Sequence, residues 1–267
     1  MTRIVVTGSA GRMGGRIITL ITETEGLQVA GAVEMAAHPK IGQDAGYVAG
    51  CGDLGVMISD SLEEALATAD LLIDFTFPQV SLRNAAICAR LGKAMIVGST
   101  GFTPDERNQL EGYAENTPIV FAPNMSVGVN VCFKLLKDLA KTLGDGFDVE
   151  IVELHHNKKK DSPSGTAVRM GEVVADALGR DYNQVANYHR EGMGEPRTSE
   201  EIGMQTVRGG DIVGEHTVYF IGMGERIELT HRAMSRDMFA RGAIRAAGWL
   251  KGKAPGIYDM QDVLDLK

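Results

Sequence analysis

Arg3-Ile4-Val5-Val6-Thr7-Gly8-Ser9-Ala10-Gly11-Arg12-Met13-Gly14, at the amino end of the chain, reads as a short buried strand, a glycine turn and the opening of a helix. The glycines are spaced G-x-x-G-x-x-G. Gly8 permits a tight turn, Gly11 lets backbone approach a pyrophosphate, and Gly14 permits close packing of helix on strand. Free N–H groups at a helix start are a seat for an anion. Residues Gly8, Ser9, Ala10, Gly11, Arg12 and Met13 are therefore expected to hold the phosphates of a dinucleotide. The next strand, residues 27–33, ends at Glu34, where a carboxylate would accept from ribose hydroxyls. Met35 follows, where a 2′-phosphate calls for a cation. NADH is expected to serve at least as well as NADPH.

Outward from this turn, helical and strand patterns alternate. A helix is expected over residues 13–24, with Ile17, Ile18 and Ile21 on one side. Ser61-Leu62-Glu63-Glu64 has the form of a capping box. Strands follow at 71–75, 94–97 and 118–121, with helices at 80–91 and 103–115 between and behind them. Leu71-Leu72-Ile73-Asp74-Phe75 is the kind of run carried by a parallel strand buried on both faces. After residue 127 the pattern changes: a long helix over 129–143, a strand from 147 that alternates for five residues, and a helix over 166–178. Residues 181–208 read as a polar loop, 211–221 and 226–231 as an antiparallel pair joined through Gly222-Met223-Gly224, and 238–250 as a final helix. The fold class is α/β: a Rossmann-type doubly wound parallel sheet, followed by a second α+β domain with a mixed or antiparallel sheet.

The 267 residues are 44% hydrophobic and 23% charged, which supplies a core without disulfides or metal. Cys51, Cys88 and Cys132 are an odd number, far apart, with no Cys-x-x-Cys, as expected of free thiols in a reducing compartment. A formal net charge of -8 argues against nucleic acid as the main partner. No apolar run approaches the ~20 residues of a membrane span, and no charged-then-apolar leader precedes the first strand, so a cytoplasmic protein is expected.

Two further turns end predicted strands, where open α/β sheets bind ligands. Gly98-Ser99-Thr100-Gly101 follows one and Ala122-Pro123-Asn124-Met125 the other, both suited to a nicotinamide and its ribose. The second half carries a different signal in Glu153-Leu154-His155-His156-Asn157-Lys158-Lys159-Lys160-Asp161-Ser162-Pro163-Ser164-Gly165-Thr166. Ser162 or Ser164 would cap the helix that follows, and Gly165 and Thr166 present N–H groups at its start. With lysines beside it, this end would seat a carboxylate, and a histidine or lysine would donate a proton near neutral pH. Zinc is a poor fit, because adjacent strand histidines point to opposite faces and no third ligand is near.

This segment resembles the signature of the dihydrodipicolinate reductase family. The likeness extends through Asp74-Phe75-Thr76, Gly98 to Gly101, Ala122 to Asn130, Arg208 to His216 and His231-Arg232-Ala233, nearly the whole chain. It implies reduction of 4-hydroxy-tetrahydrodipicolinate to tetrahydrodipicolinate with NADH or NADPH, in lysine and diaminopimelate synthesis. It places the nucleotide on Gly8 to Met13, Glu34, Gly98, Ser99, Thr100, Ala122, Pro123, Asn124 and Met125. The proton-donating pair falls on His155 and Lys159, and contacts to the small dicarboxylate fall on His156, Gly165 and Thr166. A cytoplasmic homotetramer follows by the same likeness. So does a division into residues 1–126 with 236–267 for the nucleotide, and 127–235 for substrate and assembly. Met35 stands where many members carry Arg, and Lys158 where many carry His. The alternatives are another amino- or imino-acid reductase of the aspartate-dehydrogenase kind, which would not need the His-His to Ser-Gly-Thr block, and a dinucleotide-binding redox sensor, which would need a partner surface.

Overall fold

Short aliphatic runs become strands wherever helices cover both of their faces. The computed structural model describes residues 1–267 and runs β1 (Thr2–Thr7), α1 (Arg12–Glu23), β2 (Leu27–Val33), α2 (Ala45–Ala49), β3 (Ile58–Ser59), α3 (Leu62–Ala67), β4 (Leu71–Asp74), α4 (Pro78–Leu91), β5 (Ala94–Val97), α5 (Pro104–Ala114) and β6 (Pro118–Phe121). It continues with α6 (Val127–Leu143), β7 (Asp148–His155), α7 (Gly165–Ala177), α8 (Tyr182–Val185), β8 (Ala186–Asn187), β9 (Ile202–Arg208), β10 (Gly214–Ile221) and β11 (Arg226–Ala233), then α9 (Asp237–Leu250), β12 (Gly256–Tyr258) and α10 (Met260–Val263). Two units result, Met1–Val127 with Asp237–Lys267, and Gly128–Arg236.

In the first unit seven strands lie in the order β12-β6-β5-β4-β1-β2-β3. Every pairing is parallel. The order reverses between β1 and β4, so a crevice opens past their carboxyl ends, at Thr7 and Asp74. One core packs α1 and α9 on one face of this sheet, around Ile4, Ile17, Ile21, Ile73, Ala243 and Leu250. A second core, with Val5, Leu72, Leu82, Cys88 and Leu110, fills the other face. The apolar run at residues 71–74 is buried at all four positions, as a central parallel strand requires.

In the second unit five strands run β11-β10-β7-β9-β8. β10 pairs antiparallel with β11 and β7, whereas β9 pairs parallel with β7 and β8, so the sheet is mixed. β7 alternates buried and half-buried over all eight of its residues. Val149, Ile151, Ile202, Met204, Val218 and Phe220 meet α6 and α7 in one apolar core. Farther along the same face the residues change to Glu153, His155, Arg208 and His216, and the core gives way to a polar cluster.

Three expectations need correction. Residues 181–208 are not one loop: α8, β8 and β9 lie within them. β9 ends a stretch that is polar and rich in glycine, but β7 supplies its ladder partners and its inward residues meet the core at one end and the polar cluster at the other. The helix at 237–250 is not the last element, because β12 adds a parallel edge strand beside β6 and α10 follows. Ser61 caps α3 by accepting from the Glu64 N–H at 3.4 Å without the reciprocal bond, and complete capping boxes are found at Thr103 with Glu106 and at Asp259 with Asp262 instead.

α9 packs closely because Gly242 has no side chain: a Cβ there would lie 1.8 Å from the Met125 carbonyl oxygen. Gly248, in the same helix, is exposed with open space around it. Gly242→Ala is expected to destabilise the protein by about 1–3 kcal/mol or more through overpacking. Gly248→Ala is expected to stabilise it by about 0.5–1 kcal/mol. Urea unfolding midpoints for the two variants check this opposition of sign.

Candidate active site

At the carboxyl edge of the parallel sheet, Gly8 has φ 63°, a conformation glycine adopts without penalty. A Cβ on Gly14 would lie 2.1 Å from the Gly8 carbonyl oxygen, so α1 rests directly on the turn. The helix begins at Gly11 with no side-chain cap and no acidic residue in its first turn. No side chain takes the N–H groups at its start, the arrangement in which a helix N-terminus can receive an anion. Glu34 stands beside this turn: Oε1 accepts from Ala10 N–H at 3.0 Å and Oε2 from Met35 N–H at 3.3 Å. The sequence-predicted turn and acid are therefore together. Ser9 is wholly buried with its hydroxyl on the Val33 carbonyl, so its side chain serves the fold. Met35 is 69% exposed.

Asp74, at the end of β4, has no solvent exposure. Its Oδ1 accepts from Thr76 N–H at 2.9 Å, Thr76 Oγ1 at 2.6 Å, Ser81 Oγ at 3.2 Å and Ser99 Oγ at 3.3 Å. Its Oδ2 accepts from Asn84 Nδ2 at 2.6 Å. Gly98 N–H donates to the Asp74 carbonyl. Asp74 thus ties the Gly98-Ser99-Thr100 turn to the end of β4, and Thr76 in turn abuts Gly8. Ser99 is 3% exposed and spends its hydroxyl on Ser81 and Asp74, while Thr100 is exposed. Ala122 and Met125 are buried in the core and offer a ligand only backbone, whereas Pro123 is exposed and Asn124 half-buried.

The second group of predicted residues lies in the second unit. His155 ends β7 and is buried, whereas His156 lies just past the strand and is half-buried. Ser164, not Ser162, is the N-cap of α7, accepting from Ala167 N–H at 3.2 Å. Gly165 is exposed and Thr166 half-buried in the first turn, which holds no acid. Lys159 is folded back, its Nζ 2.8 and 2.9 Å from the two carboxylate oxygens of Asp161. An incoming carboxylate would compete for that ammonium. Lys158 and Lys160 are exposed.

At the centre of this group is a residue the motif reading passed over. Glu153 is 1% exposed. Its oxygens accept from Arg208 Nη1 and Nη2, each at 2.8 Å, from Ser164 N–H at 2.9 Å and from Thr206 Oγ1 at 3.4 Å, and Oε2 is 2.5 Å from His155 Nδ1. Burial alone would raise its pKa, but the hydrogen bonds from His155, Arg208 and Ser164 outweigh burial and hold it down to about 2. His216 joins from β10: Nε2 is 2.9 Å from Ser164 Oγ, and its ring meets that of His155 edge-on at 5.2 Å. Burial, then repulsion from His155, pushes the His216 pKa down to about 3. The available signal was spacing: an acid two residues before His155 in a strand shares its face.

A histidine whose folded pKa is depressed binds fewer protons than in the unfolded chain, so stability falls as pH drops below the ordinary histidine value. Between about pH 6.5 and 5, above the range of unfolded carboxylates, His216→Gln should flatten the loss of stability seen on acidification. Unfolding midpoints across that window check the slope.

The comparisons agree along the whole length. Residues 2–125 match the model of the dihydrodipicolinate reductase N-terminus, and residues 128–264 that of its C-terminus. The chain is 73% identical to a 4-hydroxy-tetrahydrodipicolinate reductase of Syntrophotalea carbinolica and 70% identical to one of Trichlorobacter lovleyi, over 100% of each chain. In fold it is similar to a dipicolinate-bound dihydrodipicolinate reductase from Paenisporosarcina sp. TG-14, at 21% identity and TM-score 0.78 over 98% of both chains. A more distant likeness joins it to an amine dehydrogenase from Mycobacterium smegmatis, at 17% identity and TM-score 0.59 over 96% of this chain and 94% of that one. A glycine turn beside Glu34 and a buried histidine cluster at the start of α7 thus occur in a chain that belongs to the dihydrodipicolinate reductase family.

Proposed function

We propose that the protein reduces 4-hydroxy-tetrahydrodipicolinate to tetrahydrodipicolinate with loss of water. The observation that carries this reading is Glu153, which joins His155 to the Ser164 N–H at the uncharged N-terminus of α7, in a chain 73% identical to a reductase of that name. Relatives of that kind are pyridine-nucleotide enzymes, and the turn at Gly8 with its neighbouring carboxylate fits such a nucleotide.

Residues 1–126 with 236–267 are read as the nucleotide domain, and residues 127–235 as the domain for substrate and assembly. Gly8 to Met13 would hold the pyrophosphate, Glu34 the ribose, and the turns at Gly98 to Thr100 and Ala122 to Met125 the nicotinamide side. When bound, the reduced nucleotide supplies hydride. His156, Gly165 and Thr166 would seat a substrate carboxylate on the N-terminus of α7, drawing Lys159 from Asp161 toward it. His155 or Lys159 would hold the proton that the reduced ring takes up. Acid catalysis of this kind contributes about 10²–10⁴-fold. No helix is long and apolar enough to cross a membrane. The protein is read as cytoplasmic and as a homotetramer built on the open face of the second sheet, where Val207 and Ile221 are 44% and 38% exposed.

Purified protein should oxidise reduced nicotinamide only when substrate is generated in place from pyruvate and aspartate semialdehyde by the preceding synthase. NADH should serve at least as well as NADPH, and Met35→Arg should move the kcat/KM ratio about 10-fold toward NADPH by adding a cation where a 2′-phosphate would lie. Glu34→Ala should raise KM for NADH by about 10-fold or more, the worth of hydrogen bonds to a charged group. An unaltered KM would remove Glu34 from the ribose site.

Lys159→Ala should lower kcat by about 10²-fold or more and raise KM for the substrate, leaving KM for the nucleotide unchanged. Steady-state kinetics with each reactant varied in turn separate these effects, and near-native turnover would end the assignment.

A further inference from the structure

The hydrogen-bond partners of Glu153 dictate which nitrogen of His155 can titrate. Glu153 stays ionised, so it accepts and does not donate. The Nδ1 of His155, 2.5 Å from Glu153 Oε2, must therefore carry its proton in both charge states of the ring. That leaves Nε2 as the nitrogen that gains and loses a proton. Room at Nε2 depends on Gly214, because a Cβ at that position would lie 2.9 Å from it.

A carboxylate beside a histidine favours its imidazolium form. Arg208 opposes this. It is the register partner of His155 across β7 and β9, and its guanidinium takes both Glu153 oxygens at 2.8 Å. The Glu153–Arg208 pair is then neutral as a unit, and His155 can release its proton without leaving a bare negative charge. The other titratable groups nearby do not take over this role. His216 on β10 and His231, its register partner on β11, are both held below the ordinary histidine range by burial, and Lys159 in the following loop is paired with Asp161.

We propose that Glu153 and Arg208 form a positioning pair for His155. Glu153 fixes the proton on Nδ1 so that Nε2 faces the substrate as the donor, and Arg208 offsets the carboxylate so that the proton can leave. The donor role of His155 rests on the function proposed above. In that step the Nε2–H bond breaks, a C–H bond forms on the enamine carbon left after reduction of the ring, and neutral imidazole remains to be recharged from water.

The two partners should move the alkaline limb of the kcat–pH profile in opposite directions. Glu153→Gln removes the charge that favours imidazolium and should shift the limb down by about one pH unit, with kcat lower by about 10²-fold. Arg208→Gln leaves the carboxylate uncompensated and should shift the limb up. A structural role alone would lower activity in both without opposed shifts, and that result would overturn the pairing. Because either variant of so buried a pair can fail to fold, the tautomer is also read directly. NMR of the unmutated protein with heavy nitrogen in its histidines, assigned with His155→Gln, should show the neutral ring of His155 protonated on Nδ1. A proton on Nε2 would overturn the proposal even in an active enzyme. Because the tautomer is read without turnover, an inactive protein with the proton on Nδ1 would fail the reductase reading while leaving the pairing intact.

Discussion

A carboxylate stays charged inside a protein only if donors saturate its oxygens, and in the second unit that requirement sets where the site residues stand. Glu153 draws Arg208 from β9, Ser164 from the start of α7 and His155 from its own strand to one point. Each partner is committed elsewhere too. Arg208 Nη2 also donates to the Asp161 carbonyl, which fastens the lysine-bearing loop, and Ser164 Oγ caps α7 while meeting His216. Breaking a buried ion pair of this kind by removing one partner typically costs about 3–5 kcal/mol. The pair therefore fastens β7, β9, the loop at Asp161 and the start of α7 to one another, besides neutralising charge.

The first unit solves a related problem at the sheet's switch point. Asp74 is buried with no cation beside it, and side-chain hydroxyls, an amide and a backbone N–H satisfy it instead. These donors come from the turn after β4, from α4 and from the turn after β5. The crevice between β1 and β4 is thereby lined by loops that share one acceptor. Gly8, pressed against Thr76, joins this arrangement through contact alone. In both units a buried acid at the end of a strand gathers loops that would otherwise be independent.

How much of this could be read from sequence depended on whether a residue's partner was near in the chain. The strands at 94–97 and 118–121 were legible because their aliphatic character suffices for burial on both faces. The glycine turn is a local device and was legible for that reason, and the cap of α7 was narrowed to Ser162 or Ser164, whereas the capping box of Thr103 and Glu106 was not read. β9 was not: Ile202-Gly203-Met204-Gln205-Thr206-Val207-Arg208 closes a long polar stretch rich in turn residues, and it is a strand because β7 lies beside it. The alternation of β7 was followed only through Ile151, since the next inward residue is Glu153, whose burial depends on Arg208, 55 residues away. The edge strand β12 is likewise created by its neighbour β6.

The sequence by itself determined the parallel sheet, the turn that would hold a dinucleotide, the acid that follows the second strand, and the segment from His155 to Thr166. Periodicity, glycine spacing and capping act within a few residues, so they are written locally. The tertiary structure alone decided that Glu153 would be an ionised buried acceptor and that His155 would be held through Nδ1. It also decided that Lys159 would rest on Asp161 and that Asp74 would bind two turns together. Those outcomes require donors brought from distant strands into a space without water, where an unpaired charge is too costly to persist.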